Sequence, residues 1–341
     1  MPEGDPADPA SLSTRALAAL PGLRACVVGD CVIDRHTRIA HDPAFDDAVT
    51  TDPGGAAVIA LHLRRLGTHV TLVTRLCPGH DGSQAVRSAL DTAGVRLINL
   101  GRATPLPTKR RVLRDGRVIA RKPQGGAEAC DNPVGFARAL DDALARDPRL
   151  VIACDFGLGL FDAESLTDLE RRAAARGAYV AGDVSGRQPT LAVMRGFDLV
   201  TPTAAELYAV PGLPDDPWRA ARAWVQQSRD ARRPRTAIVT MGARGLVAAQ
   251  SGGAAASLPT MAREAVDPIG AGDALLAAAS AAGALGLRME DQARWAAAAA
   301  AVHVEDPGNR PLNRDAWLDR LARDGRRPLF QARADASPAA A

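Results

Sequence analysis

The residues best suited to chemistry lie in one short run, 267–273 (DPIGAGD), which leads directly into the alanine-rich segment 274–287. Its two glycines let the backbone bend sharply and leave N–H groups free, and a helix that begins there adds the positive end of its dipole. Such a loop can bind an anion, and Asp273 at its edge could take a proton from a hydroxyl that attacks a phosphoryl group. The structural alternative is a glycine turn followed by an aspartate N-cap, which is common in α/β proteins.

The elements that must position this loop follow from the hydrophobic pattern of the chain. Short apolar runs bounded by Gly, Asp or Pro alternate with alanine-rich segments of helical spacing, which is typical of parallel strands covered on both faces by helices. The predicted strands are 25–29, 70–74, 150–154, 178–182, 199–200 and 237–240, and the predicted helices are 57–66, 83–93, 134–145, 163–176 and 217–228. We therefore expect an α/β fold with a mainly parallel central sheet.

Two stretches, near residues 35–51 and 104–124, interrupt this alternation. The second alternates polar and apolar residues around Asp115-Gly116, and an Asp-Gly pair between such arms strongly indicates a two-residue hairpin. We expect a small β-sheet that projects from the main domain and could act as a lid. The predicted domain limits are 1–20 for an N-terminal extension, 21–330 for the main domain and 331–341 for a disordered tail.

Composition and charge limit the classes of function. The 42 basic and 39 acidic residues give a formal charge of +3 and are spread along the chain, so no nucleic-acid partner is implied. The five cysteines form no Cys-x-x-Cys pair, which argues against a zinc site or a disulfide framework. The N-terminus lacks the features of a signal peptide, and the longest apolar run, 274–287, is too short to span a bilayer. We expect a soluble, cytoplasmic protein with no membrane partner.

Further segments occur in an order that resembles a known family. They are 27–34 (VVGDCVID), 53–57 (PGGAA), 107–113 (PTKRRVL), 154–157 (CDFG), 201–206 (TPTAAE) and 240–245 (TMGARG), followed by the loop 267–273. From about residue 24 to about residue 310 the chain resembles the PfkB carbohydrate kinases, and within them it looks most like the heptose-7-phosphate kinases. The resemblance implies the ribokinase-like fold, a three-layer α/β/α sandwich with a mainly parallel central sheet and a small β-sheet lid.

The resemblance implies specific roles in catalysis and in binding of the sugar. Asp273 would be the catalytic base, and the backbone of its three preceding residues would form the anion hole: Gly270, Ala271 and Gly272. Asp34 would bind sugar hydroxyls, and Gly54 and Gly55 would let the backbone approach the sugar. Asp155, at the C-terminal end of a predicted strand, would face a ligand. Caps and plain strand-to-helix turns are the structural alternatives for these residues.

The lid segment resembles that of the heptose kinases. Its basic side chains could grip a sugar phosphate, because an arginine fork matches phosphate oxygens: Lys109, Arg111 and Arg121. Ordinary solvating charges on an exposed strand are an equally good interpretation. Exposed hairpin edges in such a lid would also allow a homodimer to form through it.

The resemblance implies that ATP is the phosphoryl donor and that Mg²⁺ is bound to its phosphates. Glu206 would help to place the magnesium ion through water. Thr240, Gly242 and Gly245 would line the nucleotide, and Asp267 is assigned to the same group of nucleotide-binding residues. Structural roles as caps or turns are the alternatives for these positions.

Several polar positions of the family pattern are not kept. The replacements are Val58 for Asn, Leu158 for Lys, Ser185 for Lys, Thr203 for Asn, Ile269 for Thr and Ala297 for Asn. Two positive charges that would face nucleotide phosphates are therefore absent. An aliphatic side chain in place of a hydrogen-bond donor often indicates a changed ligand. If the ligand were the same, its polar group would be buried without a hydrogen-bond partner.

The sequence predicts ATP-dependent phosphorylation of a sugar or sugar phosphate, resembling transfer to the anomeric hydroxyl of a heptose 7-phosphate. The competing hypotheses are a non-catalytic pseudokinase that binds a sugar phosphate or nucleotide, and a diverged kinase for another sugar. A nicotinamide-dependent dehydrogenase is disfavoured, because the first strand leads into GDCV at 29–32 and not into Gly-x-Gly-x-x-Gly. The His-x-Gly-His motif of nucleotidyl transfer does not occur in the sequence, so we expect any adenylylation step to need another protein.

Overall fold

The computed structural model describes residues 9–39, 48–114, 117–186, 189–227, 233–324 and 330–331. The strands are β1 (Arg24–Gly29), β2 (Cys31–Arg38), β3 (Ala48–Gly55), β4 (His69–Thr74), β5 (Arg96–Asn99), β6 (Thr108–Arg114), β7 (Arg117–Gln124), β8 (Leu150–Asp155), β9 (Tyr179–Val184), β10 (Leu199–Val200), β11 (Thr236–Thr240), β12 (Leu246–Gln250), β13 (Ala255–Leu258) and β14 (Phe330–Gln331). The helices are α1 (Pro9–Ala19), α2 (Ala56–Leu66), α3 (Asp81–Ala93), α4 (Pro133–Leu144), α5 (Ala163–Ala175), α6 (Ala204–Tyr208), α7 (Pro217–Gln226), α8 (Ala271–Ala284), α9 (Met289–Glu305) and α10 (Arg314–Asp324). Short 3₁₀ helices lie at Leu20–Gly22, Pro189–Gly196 and Gly242–Arg244.

The central sheet has ten strands in the order β14-β13-β12-β11-β10-β9-β8-β1-β4-β5. Every pair from β11 to β5 is parallel, whereas β11 to β14 pair in an antiparallel manner. The prediction of a mainly parallel sheet is confirmed, and the predicted strands and helices end within two residues of the observed bounds. No strand had been predicted for β5 or for the antiparallel edge formed by β12, β13 and β14.

The far edge of the sheet corrects one predicted boundary. Gln331 of β14 pairs with Ala256 of β13, although the disordered tail was predicted to begin at residue 331. Gln331 is ordered through its backbone pairing with β13. The composition of the tail gives no indication of such a pairing. The rest of the predicted tail, 332–341, lies outside the described residues.

Helices cover both faces of the sheet, because successive strand residues point to opposite sides. Along β1, Ala25 and Val27 pack in one hydrophobic core, and Cys26 and Val28 pack in the other. The first core is closed by α1, α2, α3, α8, α9 and α10, and the second by α4, α5, α6 and α7. This arrangement is the predicted three-layer α/β/α sandwich. In the described part of the chain, no helix has the length and apolar character that a membrane span requires.

The second sheet is the predicted lid, with the strand order β3-β2-β6-β7. The predicted hairpin is present as the antiparallel pair of β6 and β7, although its turn, Asp115-Gly116, lies outside the described residues, as do residues 40–47. Strands β2 and β6 come from the two separate excursions and pair in parallel. Because β2 follows β1 after a single residue, Asp30, the lid is attached at the carboxyl edge of the central sheet.

A buried pair of histidines behind the start of α8 makes the fold sensitive to acid. His62 of α2 is fully buried, accepts a hydrogen bond at Nδ1 from the Leu312 N–H at 3.0 Å, and lies edge-on to His303 with ring centroids 5.3 Å apart. Burial, and secondly the neighbouring His303, hold the pKa of His62 well below its usual range. The folded protein therefore keeps His62 neutral, whereas the unfolded chain takes up a proton below a pH of about 6.5.

We expect the free energy of unfolding to fall as the pH falls through about 6.5, because the unfolded state then binds more protons than the folded state. Urea titrations between pH 7.5 and pH 5.5 measure this dependence. His62→Gln, which keeps a side-chain acceptor for the Leu312 N–H, should reduce the slope, and His69→Gln at an exposed position should leave it unchanged. An equal slope in all three proteins would contradict the assignment.

Candidate active site

The glycine loop places an anion-binding helix terminus at the carboxyl edge of the sheet. Helix α8 begins after Gly270, which has a left-handed backbone with φ of 80° and provides no side-chain cap. A Cβ at Gly270 would overlap Asn309 and His303, so only glycine fits at this position. The N–H of Ala271 donates to the Pro268 carbonyl at 3.4 Å, whereas the N–H groups of Gly272 and Asp273 have no intrahelical acceptor and are left for a ligand. Asp273 is the third residue of α8, and the alternative role as its N-cap is taken by Gly270.

The carboxyl group of Asp273 is suited to accept a proton near neutral pH. Its side chain is half-buried in the first turn of α8, and burial raises its pKa to about 7. The positive charge of Lys109 opposes this shift, and the negative charge of Asp34 adds to it. A base with a pKa close to the working pH combines the ionised state with a useful affinity for the proton.

Asp267, at the beginning of the loop, is engaged by the protein itself. Its carboxylate accepts hydrogen bonds from the N–H groups of Ile269 and Gly308, both at 3.1 Å. The carbonyl of Ile269 accepts a hydrogen bond at 2.6 Å from Nε2 of His303, so that this nitrogen carries the proton. These contacts hold the loop that precedes α8 in place. A contact between Asp267 and the nucleotide stays a prediction.

The predicted sugar-binding residue Asp34 lies on β2 of the lid and is buried. Its Oδ1 accepts a hydrogen bond from Arg111 Nη1 at 2.6 Å, and its Oδ2 accepts one from Asn309 Nδ2 at 2.8 Å. A Cβ at Gly54 would overlap Oδ2 of Asp34, so a side chain at position 54 would displace the carboxylate. The structure thus brings three elements together around one fixed carboxylate: β2, β6 and the loop after α9.

Gly55 lies at the junction of β3 and α2, with φ of 64°. A Cβ there would come within 2.5 Å of the Asp30 carbonyl oxygen and 3.4 Å of the Phe156 ring, so the junction packs closely against the neighbouring loops. The Ala56 N–H donates to the same Asp30 carbonyl at 2.9 Å. In the structure the glycine at this junction serves contacts between loops, and the approach of the backbone to a sugar stays a prediction.

The three predicted basic residues of the lid lie in different surroundings. Arg111 is paired with Asp34, as described, and Lys109 Nζ lies 5.4 Å from the centroid of the Phe156 ring. Arg121 lies on β7, where its backbone is opposite Arg111, and its side chain is outside the described part of the structure. Lys109 and Arg111 thus contact different groups, and the predicted grip of the three residues on a sugar phosphate stays a prediction.

Asp155 ends β8 and is only 2% exposed. Its Oδ1 accepts a hydrogen bond from the Gly157 N–H at 2.8 Å, and its Oδ2 accepts one from the Thr190 hydroxyl. Next to it, Asp30 accepts a hydrogen bond from the Leu158 N–H at 3.1 Å, and burial raises the pKa of Asp30 to about 6. Asp155 shapes the loop after β8 in the structure, and its contact with a substrate stays a prediction.

A cavity of 580 Å³ lies beside the start of α8, and Asp34 is not among the residues that line it. Thr240, Gly242 and Gly245 line it together with Gly272 and Ala297, and contact of the first three with a nucleotide stays a prediction. A Cβ at Gly245 would overlap the carbonyl oxygen of Leu258, which explains the glycine in this turn. The volume suits a small-molecule ligand, and Gly272 connects the cavity to the anion-binding loop.

Glu206 caps α6 and also holds a neighbouring loop. Its Oε2 accepts from the Thr203 N–H at 2.8 Å, and its Oε1 accepts from the Gly186 N–H at 2.7 Å. Near it, Oδ1 of Asp183 is buried without a hydrogen-bond partner in the described structure. Burial, followed by the charges of Glu206 and Asp273, raises the pKa of Asp183 well above its usual range.

This orphaned acceptor among several carboxylates suits a hydrated divalent cation such as Mg²⁺. Among the described residues, no group of three or more His, Cys, Asp or Glu side chains is arranged to ligate a metal directly. The predicted role of Glu206, which acts on the ion through water, is compatible with this arrangement.

The residues that depart from the family pattern are built into the framework. The Leu158 N–H donates to Asp30 at 3.1 Å, and the Leu158 carbonyl accepts from Arg75 at 3.0 Å. The Ser185 N–H donates to the Asp155 carbonyl at 2.9 Å. Val58 is fully buried in α2. Neither Leu158 nor Ser185 brings a positive charge to the site, so any such charge must come from another element.

Three polar residues of the site were not predicted from the sequence: Asn309, Asp30 and Asp183. Asn309 is 275 residues away from its partner Asp34. In the sequence, 307–309 (PGN) indicates only a turn after a long helix. Asp30 and Asp183 lie at or next to the ends of strands, where the sequence does not distinguish a cap from a ligand.

The chain is similar to proteins of known families. It matches the family described as “pfkB family carbohydrate kinase” over residues 23–316. The “Bifunctional protein HldE” of Azorhizobium caulinodans is 30% identical over 305 residues, which is 84% of this chain and 62% of that protein. The protein of the same name from Halorhodospira halophila is 31% identical over 300 residues, which is 84% of this chain and 61% of that protein. The chain thus spans about three fifths of the length of these relatives.

Solved structures show the same fold. Phosphofructokinase-2 from Escherichia coli, in complex with substrates and products, aligns with a TM-score of 0.72 at 20% identity and covers 89% of this chain and 100% of its own. Ribokinase from Arabidopsis thaliana, complexed with ribose and ATP, aligns with a TM-score of 0.66 at 21% identity and covers 88% and 98%. The fold is therefore ribokinase-like. Because the family match extends over most of its length, the chain belongs to the pfkB family of carbohydrate kinases.

Proposed function

We propose that this chain transfers the terminal phosphoryl group of ATP to the anomeric hydroxyl of a heptose 7-phosphate. The observation that carries the kinase proposal is the position of Asp273, a carboxyl group with a pKa of about 7 that directly follows Ala271 and Gly272, two residues that line the 580 Å³ cavity, and that is influenced by the charge of Asp34. The choice of a heptose 7-phosphate as the acceptor rests on the resemblance of the lid segment 107–113 to heptose kinases.

In the proposed reaction, Asp34 holds a sugar hydroxyl group while Arg111 and Asn309 fix the position of its carboxylate. Asp273 takes the proton of the attacking hydroxyl, whose oxygen forms a bond to the terminal phosphorus as the bond to ADP breaks. The N–H groups of Gly272 and Asp273 at the start of α8 stabilise charge on the phosphoryl oxygens. Bound Mg²⁺ would neutralise part of the charge on the ATP phosphates, with Glu206 and Asp183 acting through its water ligands.

A substrate panel tests the proposed activity. Release of ADP would be measured with ATP, Mg²⁺ and, in turn, heptose 7-phosphate, fructose 6-phosphate, mannose 6-phosphate and ribose. We expect the highest kcat/KM with the heptose 7-phosphate, and a ³¹P resonance of an anomeric phosphate in its product. A higher kcat/KM with another sugar would leave the kinase proposal in place and reject the heptose.

One set of residues favours a second candidate, a pseudokinase that binds a sugar phosphate or nucleotide without turnover. Leu158 and Ser185 leave the site without two charges that the family resemblance implies. Calorimetry with ATP and with each sugar phosphate distinguishes the candidates. Micromolar binding without any ADP release across the panel would support the pseudokinase.

The ionisation of Asp273 predicts how the rate depends on pH. The base acts only when it is ionised, so log kcat/KM should rise by about one per pH unit below pH 7 and level off above it. The profile would be measured from pH 5.5 to pH 9 with ATP and Mg²⁺ saturating. A rate that is independent of pH between 5.5 and 7 would contradict the role of Asp273.

A homodimer that forms through the lid is also proposed. The edge strands β3 and β7 carry the exposed apolar side chains Val49 and Ile119, which a partner could cover. Light scattering at micromolar concentration tests this proposal, and a monomer would contradict it. The cytoplasmic location likewise stays a prediction.

A further inference from the structure

Lys109 and Arg111 lie two residues apart on β6 and point to the same face of the lid, yet their charges are used differently. The Arg111 guanidinium is paired with Asp34 at 2.6 Å. The Lys109 ammonium has no hydrogen-bonded or ion-paired acceptor among the residues that the structure describes. An ammonium group has three N–H donors, so Lys109 has unused donors for a ligand.

The surroundings of Lys109 direct its ammonium group towards the reacting end of the site. In the parallel register of β2 and β6, Lys109 is directly beside Asp34. Its Nζ lies 5.4 Å from the centroid of the Phe156 ring, where a cation–π contact can hold it. Its charge is also close enough to Asp273 to lower the pKa of that carboxyl. The charge of Lys109 therefore lies near both Asp34, the predicted sugar-binding carboxylate, and Asp273, the predicted proton acceptor.

The step of phosphoryl transfer needs a positive charge at this place. Negative charge is spread over the three equatorial oxygens of the transferring group, and positioned cations stabilise it. Leu158 and Ser185 supply none, and the charges of Arg75 and Arg111 are engaged by Asp30, by carbonyl groups and by Asp34. Lys109 differs from Arg75 and Arg111 in that no described residue engages its charge through a hydrogen bond or an ion pair, so it remains available for a ligand.

We propose that Lys109 is a further catalytic residue, whose ammonium group contacts the phosphoryl group during its transfer. This inference rests on the proposed kinase function and replaces the predicted grip of Lys109 on the phosphate of the sugar. In the reaction, the sugar oxygen bonds to the terminal phosphorus of ATP, the phosphorus–oxygen bond to ADP breaks, and the sugar proton passes to Asp273. Lys109 stays protonated throughout and supplies only charge and hydrogen bonds.

The experiment compares Lys109→Met, which keeps the length of the side chain without its charge, with Lys109→Arg. Lys122 is the only other lysine of the chain and lies exposed on β7, so Lys122→Met is a matched control. For each protein, kcat with saturating ATP, Mg²⁺ and heptose 7-phosphate is measured from pH 5.5 to pH 9. The Kd of heptose 7-phosphate is measured by calorimetry without ATP.

Loss of the charge in Lys109→Met is expected to lower kcat about 100-fold, as for the loss of one donor to the transition state, and to change the Kd less than about threefold. Lys109→Arg should retain more activity than Lys109→Met, and Lys122→Met should behave as the wild type. The acid limb of the Lys109→Met profile should move to higher pH, because the charge that lowers the pKa of Asp273 is gone.

Two results would overturn the assignment while the wild type remains active. An unchanged kcat in Lys109→Met would show that the charge is not used in catalysis. A weakened Kd with an unchanged kcat would show that Lys109 holds the phosphate of the sugar. Thermal melts report whether each variant folds, and Lys109→Gln replaces Lys109→Met if the latter does not. A wild type that turns over none of the panel overturns the proposed function, and this assignment with it.

Discussion

Replacement of Asp273 by asparagine is expected to lower kcat about 1,000-fold, because a positioned base contributes roughly 100-fold to 10,000-fold to such a reaction. Asparagine keeps the shape of the side chain at the start of α8 but cannot take the proton of the attacking hydroxyl. The measurement is ADP release at pH 8, with ATP, Mg²⁺ and sugar phosphate saturating. At this pH the wild-type carboxyl, with a pKa of about 7, is ionised.

Binding and stability provide the controls for Asp273→Asn. The Kd of ATP and of the sugar phosphate should change little, because the residue acts on the proton. The pKa of Asp273 is about 7 in the folded protein and about 3.8 in the unfolded chain. Between these pH values the unfolded chain has lost this proton and the folded protein still holds it. The carboxyl group therefore lowers the free energy of unfolding as the pH rises through this range. The variant should therefore melt at a temperature no lower than the wild type at pH 8. A kcat close to that of the wild type would place the base elsewhere.

Replacement of Asp34 by asparagine is expected to lower kcat/KM by about 100-fold or more, mainly through KM for the sugar. The change leaves Arg111, whose side chain is 11% exposed, without its carboxylate, and loss of one partner from a pair with so little exposure costs about 2 to 5 kcal/mol. The measurement is the dependence of the initial rate on sugar concentration, with ATP saturating. A melting curve shows how much of the cost appears as lost stability.

Two matched variants separate the role of Asp34 from general effects. Asp142 forms an exposed ion pair with Arg96 at 2.8 Å. Asp142→Asn removes this carboxylate and should have almost no effect on kcat/KM or on stability. Gly54→Ala should lower kcat/KM in the same direction as Asp34→Asn, because the added Cβ would overlap the Asp34 carboxylate. Gly22→Ala, which meets no atom within 4 Å, is its control. An unchanged KM in Asp34→Asn would exclude contact between this carboxylate and the sugar.

Some parts of the site could be predicted because they depend only on residues that are adjacent in the sequence. Two glycines, an aspartate and an apolar helix follow one another in 267–287, so the bend, the start of α8 and the place of Asp273 all follow from nearby residues. The apolar strands could be recognised for the same reason, because burial on both faces needs an unbroken apolar run. The antiparallel strands β12 (LVAAQ) and β13 (AASL) were not predicted: they are short and rich in alanine, which is equally common in the helices of this chain.

Contacts between distant segments could not be predicted in this way. The Asp-Gly pair predicted the hairpin of β6 and β7, but nothing in the sequence predicted that β2 and β6 would pair in parallel. This register decides that Lys109 lies beside Asp34 and that Arg111 can reach its carboxylate. Lys109 and Arg111 look equivalent in the sequence, and only the tertiary structure shows that one contacts the Phe156 ring and the other pairs with Asp34.

The alternation of strands and helices and the glycine loop that ends at Asp273 follow from the sequence, because hydrophobic period and backbone freedom act over a few residues, and the order of the motifs showed the resemblance to the family. The tertiary structure alone decided the chemistry of that loop. The pKa of Asp273 rises because distant elements bury it, and Asp34 is fixed because Asn309 reaches it from 275 residues away. Desolvation and charge pairing depend on distances in space, and the spacing of residues along the chain does not contain them.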